Sequence, residues 1–319
     1  MTDAAWVRRL SKGDCGEHLR DALAQGFLDR HDWLLIHDLS LMEGKLGALM
    51  GAFASEYLHA VAVKANPVVT ILRRLVERGA GLECASMEEV AISLRAGCSP
   101  DRIVFDSPAK TRRDLAEALD LGVVLNADNF DELERIGALL EQPDRGALRA
   151  RVGLRINPMV GEGAIAATSV GGRVSKFGVP LEEAQRPIVE AFERWPWLTG
   201  VHVHVGSQGC TVAQLIAAAE RIEALIATIE ALRPGQIVDV DIGGGLPVAY
   251  DSTTTPPCVT TYADALRGAC PTLMSGRYRI ITEFGRAIHA NCGVAARRVE
   301  YVKRYVVLRW PWFTSAQIF

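Results

Sequence analysis

A chain of 319 residues, 49% hydrophobic and 23% charged, has the make-up of a globular protein with room for one large domain or two ordinary ones. Its net charge of −3 gives no electrostatic reason to expect nucleic acid or an anionic membrane surface as a partner. The seven cysteines are scattered at positions 15, 84, 98, 210, 258, 270 and 292 with no CxxC pair, which argues against a structural zinc site or a thioredoxin-type motif and suits a reducing compartment.

The opening MTDAAWVRRLSKGDCGEHLRD has no apolar core of the kind a signal peptide needs. No uncharged run approaches the ~20 apolar residues of a membrane span. A cytoplasmic location is therefore expected. Residues 1–40 predict a helix and then a strand-like WLLIHDL at 33–39. From about residue 57 short β-rich runs alternate with longer amphipathic ones. The strands are expected at Leu58–Lys64, Gly81–Cys84, Arg102–Phe105, Val123–Asn126, Arg149–Ile156, Gly200–Val205, Ile237–Ile242 and Arg279–Glu283. Several are near-continuous apolar stretches (VGLRI, VHVHV, IVDVDI), as parallel strands buried on both faces require.

Between them, apolar spacing near 3.6 predicts helices at Val68–Arg78, Met87–Ala96, Thr111–Leu121, Asn129–Leu140, Leu181–Arg194, Val212–Leu232 and Tyr262–Cys270. Ser86 and Glu89 stand three apart, the spacing of a capping box. Eight βα units of this length predict an α/β fold with a (β/α)₈ TIM barrel; a doubly wound open sheet is the competing arrangement. The final YVKRYVVLRWPWFTSAQIF starts β-like and then loses its pattern, and LRWPWF suits no ordinary strand.

Barrel enzymes place their chemistry at the C-terminal ends of the strands. There this chain has Lys64 (VAVKANP), Glu83, Arg155 (LRINP), His202 and His204 (VHVHVGSQ), the run Gly243-Gly244-Gly245, and Glu283 followed by Phe284-Gly285-Arg286. A lysine at the end of an apolar strand is either a snorkelling rim residue or an amine whose pKa burial lowers, making it a nucleophile. Three glycines permit a turn whose N–H groups approach an anion closely, and a phosphate site after strands seven and eight is common in barrels, with Arg286 as a second contact. The same run is a poor dinucleotide fingerprint, because Val248 falls where the third glycine belongs. Glu283 needs a buried partner, either Arg286 or the protonated nitrogen of a pyridine ring. His202 and His204 share a strand face, but no Asp, Glu or Cys joins them at ligand spacing in the sequence, so no metal is expected.

In this order VAVKANP, GLECASMEEV, LRINP, SKFGV, VHVHVGSQ, DIGGGLP and TEFGRAIHANCG resemble the alanine-racemase-fold, pyridoxal-phosphate-dependent decarboxylases, a group containing the diaminopimelate, ornithine and arginine enzymes. The resemblance covers residues ~33–305, and HVGSQ leans towards the diaminopimelate branch. It implies that Lys64 carries the cofactor as a Schiff base and that His204 stacks on its ring. It implies that Gly243, Gly244 and Gly245 hold the phosphate, with Ser207 and Arg286 as side-chain contacts, and that Glu283 binds the pyridine nitrogen. Glu83 and Arg155 fall beneath the cofactor, and Lys176 in a stretch that reaches the partner's active site in a head-to-tail homodimer.

The expected layout is a barrel over 41–290, with residues 1–40 and 291–319 as remnants of a second, β-rich domain. Two features depart from the family. Phe284 replaces the proline of E-P-G-R. The cysteine and the tyrosine that the family's β-domain supplies find no match, since Cys292 lies too early, so a truncated or altered end is expected. The implied reaction is decarboxylation of a basic or diamino acid. The alternatives are a cofactor-binding protein without turnover and a racemase-like enzyme, for which the sequence offers no second base.

Overall fold

The computed structural model describes residues 2–142, 148–161, 163, 171–172, 175–251, 254–304 and 309–312. Strand β1 (Trp33–His37) precedes a parallel series: β2 (Leu58–Ala62), β3 (Gly81–Cys84), β4 (Ile103–Phe105), β5 (Val124–Ala127), β6 (Arg151–Asn157), the two-residue β7 (Val179–Pro180), β8 (Leu198–Val203), β9 (Asp239–Asp241) and β10 (Arg279–Thr282). The sheet runs β5-β4-β3-β2-β10-β9-β8-β6, and β5 pairs with β6 to close it, with β7 appended to β6. Eight strands thus form a closed parallel barrel, and the open-sheet alternative falls away.

Strand alternation sorts the side chains. Val61, Leu82, Ile103, Phe105, Leu125, Leu154, Val201, Val240 and Ile280 join the large hydrophobic layer beneath the surrounding helices. The other parity faces the barrel lumen, where Leu58, Ala60, Val104, Val124 and Ile281 form a small separate cluster. At the lower rim, the first residues of three strands meet: Asp239 Oδ1 accepts from Arg151 Nη1 at 3.0 Å and from Arg279 Nε at 2.7 Å. Continued upward, the inward parity reaches Glu83, Asp106, Asp128, Arg155, His202, His204, Asp241 and Glu283. Polar residues therefore gather at one mouth because they fall in step with the lumen-facing set.

Several local expectations need correction. The first barrel strand ends at Ala62, and Lys64 lies in a 3₁₀ turn, Val63–Ala65. Ser86 accepts from the Glu89 N–H, but the Glu89 carboxylate accepts from Ala85, one residue before the cap, so the box is only half formed. A helix at Leu39–Ala52 escapes periodicity because it is apolar nearly all round and buries Leu41, Met42, Leu46, Ala48, Leu49 and Ala52.

After the barrel, β11 (Gly293–Arg297) pairs antiparallel with β1, in register from Trp33↔Arg297 to His37↔Gly293. Strands β12 (Tyr301–Arg304) and β13 (Arg309–Trp312) form a two-stranded ribbon. Most of LRWPWF is therefore a strand, contrary to expectation. A proline fits because a strand in a two-stranded ribbon has one edge with no neighbour that needs its N–H. The rest of the tail lies outside the described residues. Among those residues no helix is long and apolar enough to cross a membrane.

Candidate active site

A cavity of about 670 Å³ opens at the mouth where the strands end, and its lining includes Lys64, His204, Ser207, Gly245, Glu283 and Arg286. Six residues that follow four different strands, β2, β8, β9 and β10, thus border one space. Lys64 Nζ donates to both oxygens of Glu83, at 2.7 and 2.6 Å, while its side chain stays 54% exposed toward the opening. Desolvation works to lower its pKa, but the charges of Glu83, Asp106 and Glu283 outweigh it and hold the amine above the usual lysine value. Burial and the charge of Asp106 raise the Glu83 pKa as well, with Lys64 opposing them, so lysine and glutamate titrate as a pair. The short contacts to both Glu83 oxygens favour the ammonium–carboxylate form, against the expectation that burial leaves a neutral amine.

Beneath it, Arg155 Nη1 donates to the carbonyl and to Oδ2 of Asp106, both at 3.2 Å, and the guanidinium lies 4.6 Å from the centre of the Phe177 ring. Lys176 is exposed, with Nζ 5.1 Å from the centre of the same ring.

Glu283 follows β10 and is 4% exposed. It does not pair with Arg286. Its Oε2 lies 3.5 Å from His202 Nε2 and 3.5 Å from His204 Nδ1, and its Oε1 is buried with no hydrogen-bond partner. Burial alone would raise its pKa, but the two histidines together hold it well below the carboxylate range. Asp241, by contrast, is raised well above its usual value by burial and then by the charge of Glu283. One neutral acid and one anion therefore stand side by side, and the anion is the one that reaches the cavity. Burial lowers the His204 pKa despite Glu283, and its Nδ1 accepts from the Gly244 N–H at 3.2 Å, which fits a neutral ring.

The glycine run could hold no larger residue. Gly243 has φ +68, and a Cβ there would sit 2.5 Å from the Val203 carbonyl; a Cβ on Gly244 would strike the backbone carbonyl of Glu283. Arg286 Nε donates to Ser207 Oγ at 3.1 Å, and its Nη1 donates to Tyr250 Oη at 2.6 Å.

Three participants had no place in the sequence reading: Asp106, Asp241 and Tyr250. Asp106 directly follows an apolar strand, the same signal that marks Lys64 and Glu283. Asp106, His202 and Glu283 also bring ligand-type atoms within 4.8 Å of one another, so carboxylates join His202 in space although none does so by sequence spacing.

Residues 41–290 match the family model described as the pyridoxal-binding domain of pyridoxal-dependent decarboxylases. The chain is 34% identical over 273 residues to the diaminopimelate decarboxylase of Zymomonas mobilis, covering 82% of this chain and 62% of that one. It is 34% identical over 272 residues to the Pseudomonas aeruginosa enzyme of the same name, covering 84% and 63%. The chain thus spans less than two thirds of the length of these relatives. Among solved structures, diaminopimelate decarboxylase from Helicobacter pylori complexed with L-lysine superposes with a TM-score of 0.77 at 28% identity, over 88% of this chain and 70% of that one.

Proposed function

Because the chain belongs to the pyridoxal-dependent decarboxylases and carries their pyridoxal-binding domain, we propose that it removes the α-carboxylate of a diamino acid of the diaminopimelate type. One observation carries this reading. The buried Glu283 Oε1 has no partner, and Glu283 lines the same space as an amine, Gly206, Gly245 and an arginine. That donor set fits pyridoxal phosphate. Lys64 would bind the aldehyde, Gly243 to Gly245 with Ser207 and Arg286 would take the phosphate, and Glu283 would take the pyridine nitrogen. His204 would lie against the ring face, with Glu83 and Arg155 below it.

When bound, the cofactor supplies an aldehyde that captures amines and a ring that takes up the electron pair left by a departing carboxylate. The protein's own groups set the conditions for this. Glu283, kept anionic chiefly by His202, would hold a proton on the ring nitrogen. Glu83 takes the positive charge of Lys64 while the amine is at rest. Arg155, locked by Asp106, fixes the floor. The low-dielectric lumen strengthens each of these contacts.

The reading extends to a homodimer in which the exposed Lys176 faces the partner's active site, to a cytoplasmic setting, supported by seven free cysteines, and to a small β-rich domain begun by the β1–β11 pair. The test is release of CO₂ from carboxyl-labelled diaminopimelate, lysine and ornithine by the cofactor-loaded chain, with borohydride trapping and mass spectrometry of Lys64. Release from the first is expected. A trapped lysine without CO₂ from any of the three would overturn the decarboxylase reading in favour of cofactor binding without turnover.

The Lys64–Glu83 pair makes a separate prediction. Only the neutral amine attacks an aldehyde, so raising the Lys64 pKa slows attachment at neutral pH, and the rate should climb as pH rises. Glu83→Gln removes the nearest anion, so the desolvation that lowers the pKa counts for more. The rate–pH profile of attachment should move to lower pH, as followed by stopped-flow absorbance; an unmoved profile would mean that Glu83 does not set the amine's charge.

A further inference from the structure

The same cavity has a second polar feature that the assignments above leave unused. His37, from β1, and His289, at the end of the short helix Arg286–His289, both line it. Their ring centroids lie 5.6 Å apart, with the planes tilted by 44°. His289 is 8% exposed, and neither of its ring nitrogens has a hydrogen-bond partner; His37 Nε2 is likewise buried and unpartnered. Folded proteins rarely leave such atoms unmade, because each forfeits its bonds to water. His59 and His202 also have unpaired ring nitrogens, but neither lines the cavity.

Burial pushes the His289 pKa down to about 3 and that of His37 below its usual value, so both rings are neutral, each with one N–H and one lone pair. The carboxylate next to His37, Asp38, is already held by His18 Nε2 at 3.1 Å and by the Leu41 N–H at 2.8 Å. Among the described residues lining the cavity the single carboxylate is Glu283, which belongs to His202 and His204. An ammonium arriving at the pair would meet no counter-charge. A carboxylate would accept an N–H from each ring, and its charge would favour protonation of the imidazoles.

We infer that His37 and His289 form a carboxylate subsite, which selects an amino acid carrying a second carboxylate away from the reacting carbon. This rests on the reading that the cavity takes the cofactor and its amino-acid substrate, and it names the two residues that read the substrate's far end.

The test uses the full chain loaded with pyridoxal phosphate and two probes that cannot be decarboxylated by the proposed route: pimelate, a dicarboxylate without amines, and cadaverine, a diamine without carboxylates. Side-chain ¹H–¹⁵N spectra should show pimelate moving the His37 and His289 signals toward the protonated form, with cadaverine leaving them in place. His289→Gln, which keeps a donor, should weaken pimelate less than His289→Leu, which should lose about tenfold or more in affinity. His37→Gln provides a second variant should His289→Leu fail to fold.

Histidine signals unmoved by bound pimelate, or moved equally by cadaverine, would remove the subsite. Borohydride trapping on Lys64 separates the two ideas. Trapping without a pimelate response sinks the subsite alone; a pimelate response without trapping sinks the cofactor reading alone.

Discussion

Lys64→Ala is expected to abolish covalent attachment of the cofactor and to lower any decarboxylase turnover by at least roughly 10³-fold, because no other lysine lines the cavity among the described residues. The effect should be chemical and not structural. The side chain is 54% exposed and bonds only to Glu83, so its removal opens no cavity in the core. It does strand a buried carboxylate, and Glu83 would then take up a proton in place of the lost ammonium. The thermal midpoint should therefore change little while borohydride trapping falls to background. A variant that still traps cofactor at a specific lysine would move the amine elsewhere and with it the whole site.

Glu283→Gln is the second large effect. The change keeps the shape but removes the charge that His202 chiefly holds in place, so the contact that would keep a proton on the ring nitrogen is lost. Removing one preorganised electrostatic contact of this kind costs about 10²–10³ in kcat. The loss should appear in kcat more than in cofactor affinity, since the glycine cradle and Arg286 remain. A variant with parental kcat would show that the unpartnered Oε1 serves no purpose in turnover. A loss confined to cofactor binding would reassign Glu283 to holding the ring in place.

Much of this site was legible because barrel strands obey two simple rules. Alternation puts every second residue in the lumen, and the fold puts chemistry at the strands' C-terminal ends. Lys64, Glu83, Arg155, His204 and Glu283 could each be found that way. Asp106 satisfied the same rules and was passed over only because no motif drew attention to it. The charge state of Lys64 was not legible, since it depends on three carboxylates from three other strands, and sequence spacing says nothing about their convergence. The pairing of His37 with His289 was hidden for the same reason. The helix at Leu39–Ala52 was missed for a different one: a helix buried on most sides has no polar stripe to give it a period.

The antiparallel match of β1 to β11 joins segments that leave a ribosome on either side of the whole barrel. Until Gly293–Arg297 emerges, Trp33–His37 has no ladder partner among the described residues, and Trp33 and Leu35 remain exposed beside β11. The nascent chain must therefore carry an open apolar edge while the whole barrel is translated, and such edges invite pairing with other chains. Chaperone dependence during expression should accordingly be set by the two late-closing seams, β1 with β11 and β2 with β10, more than by the other strand pairs of the barrel, whose partners arrive one after another.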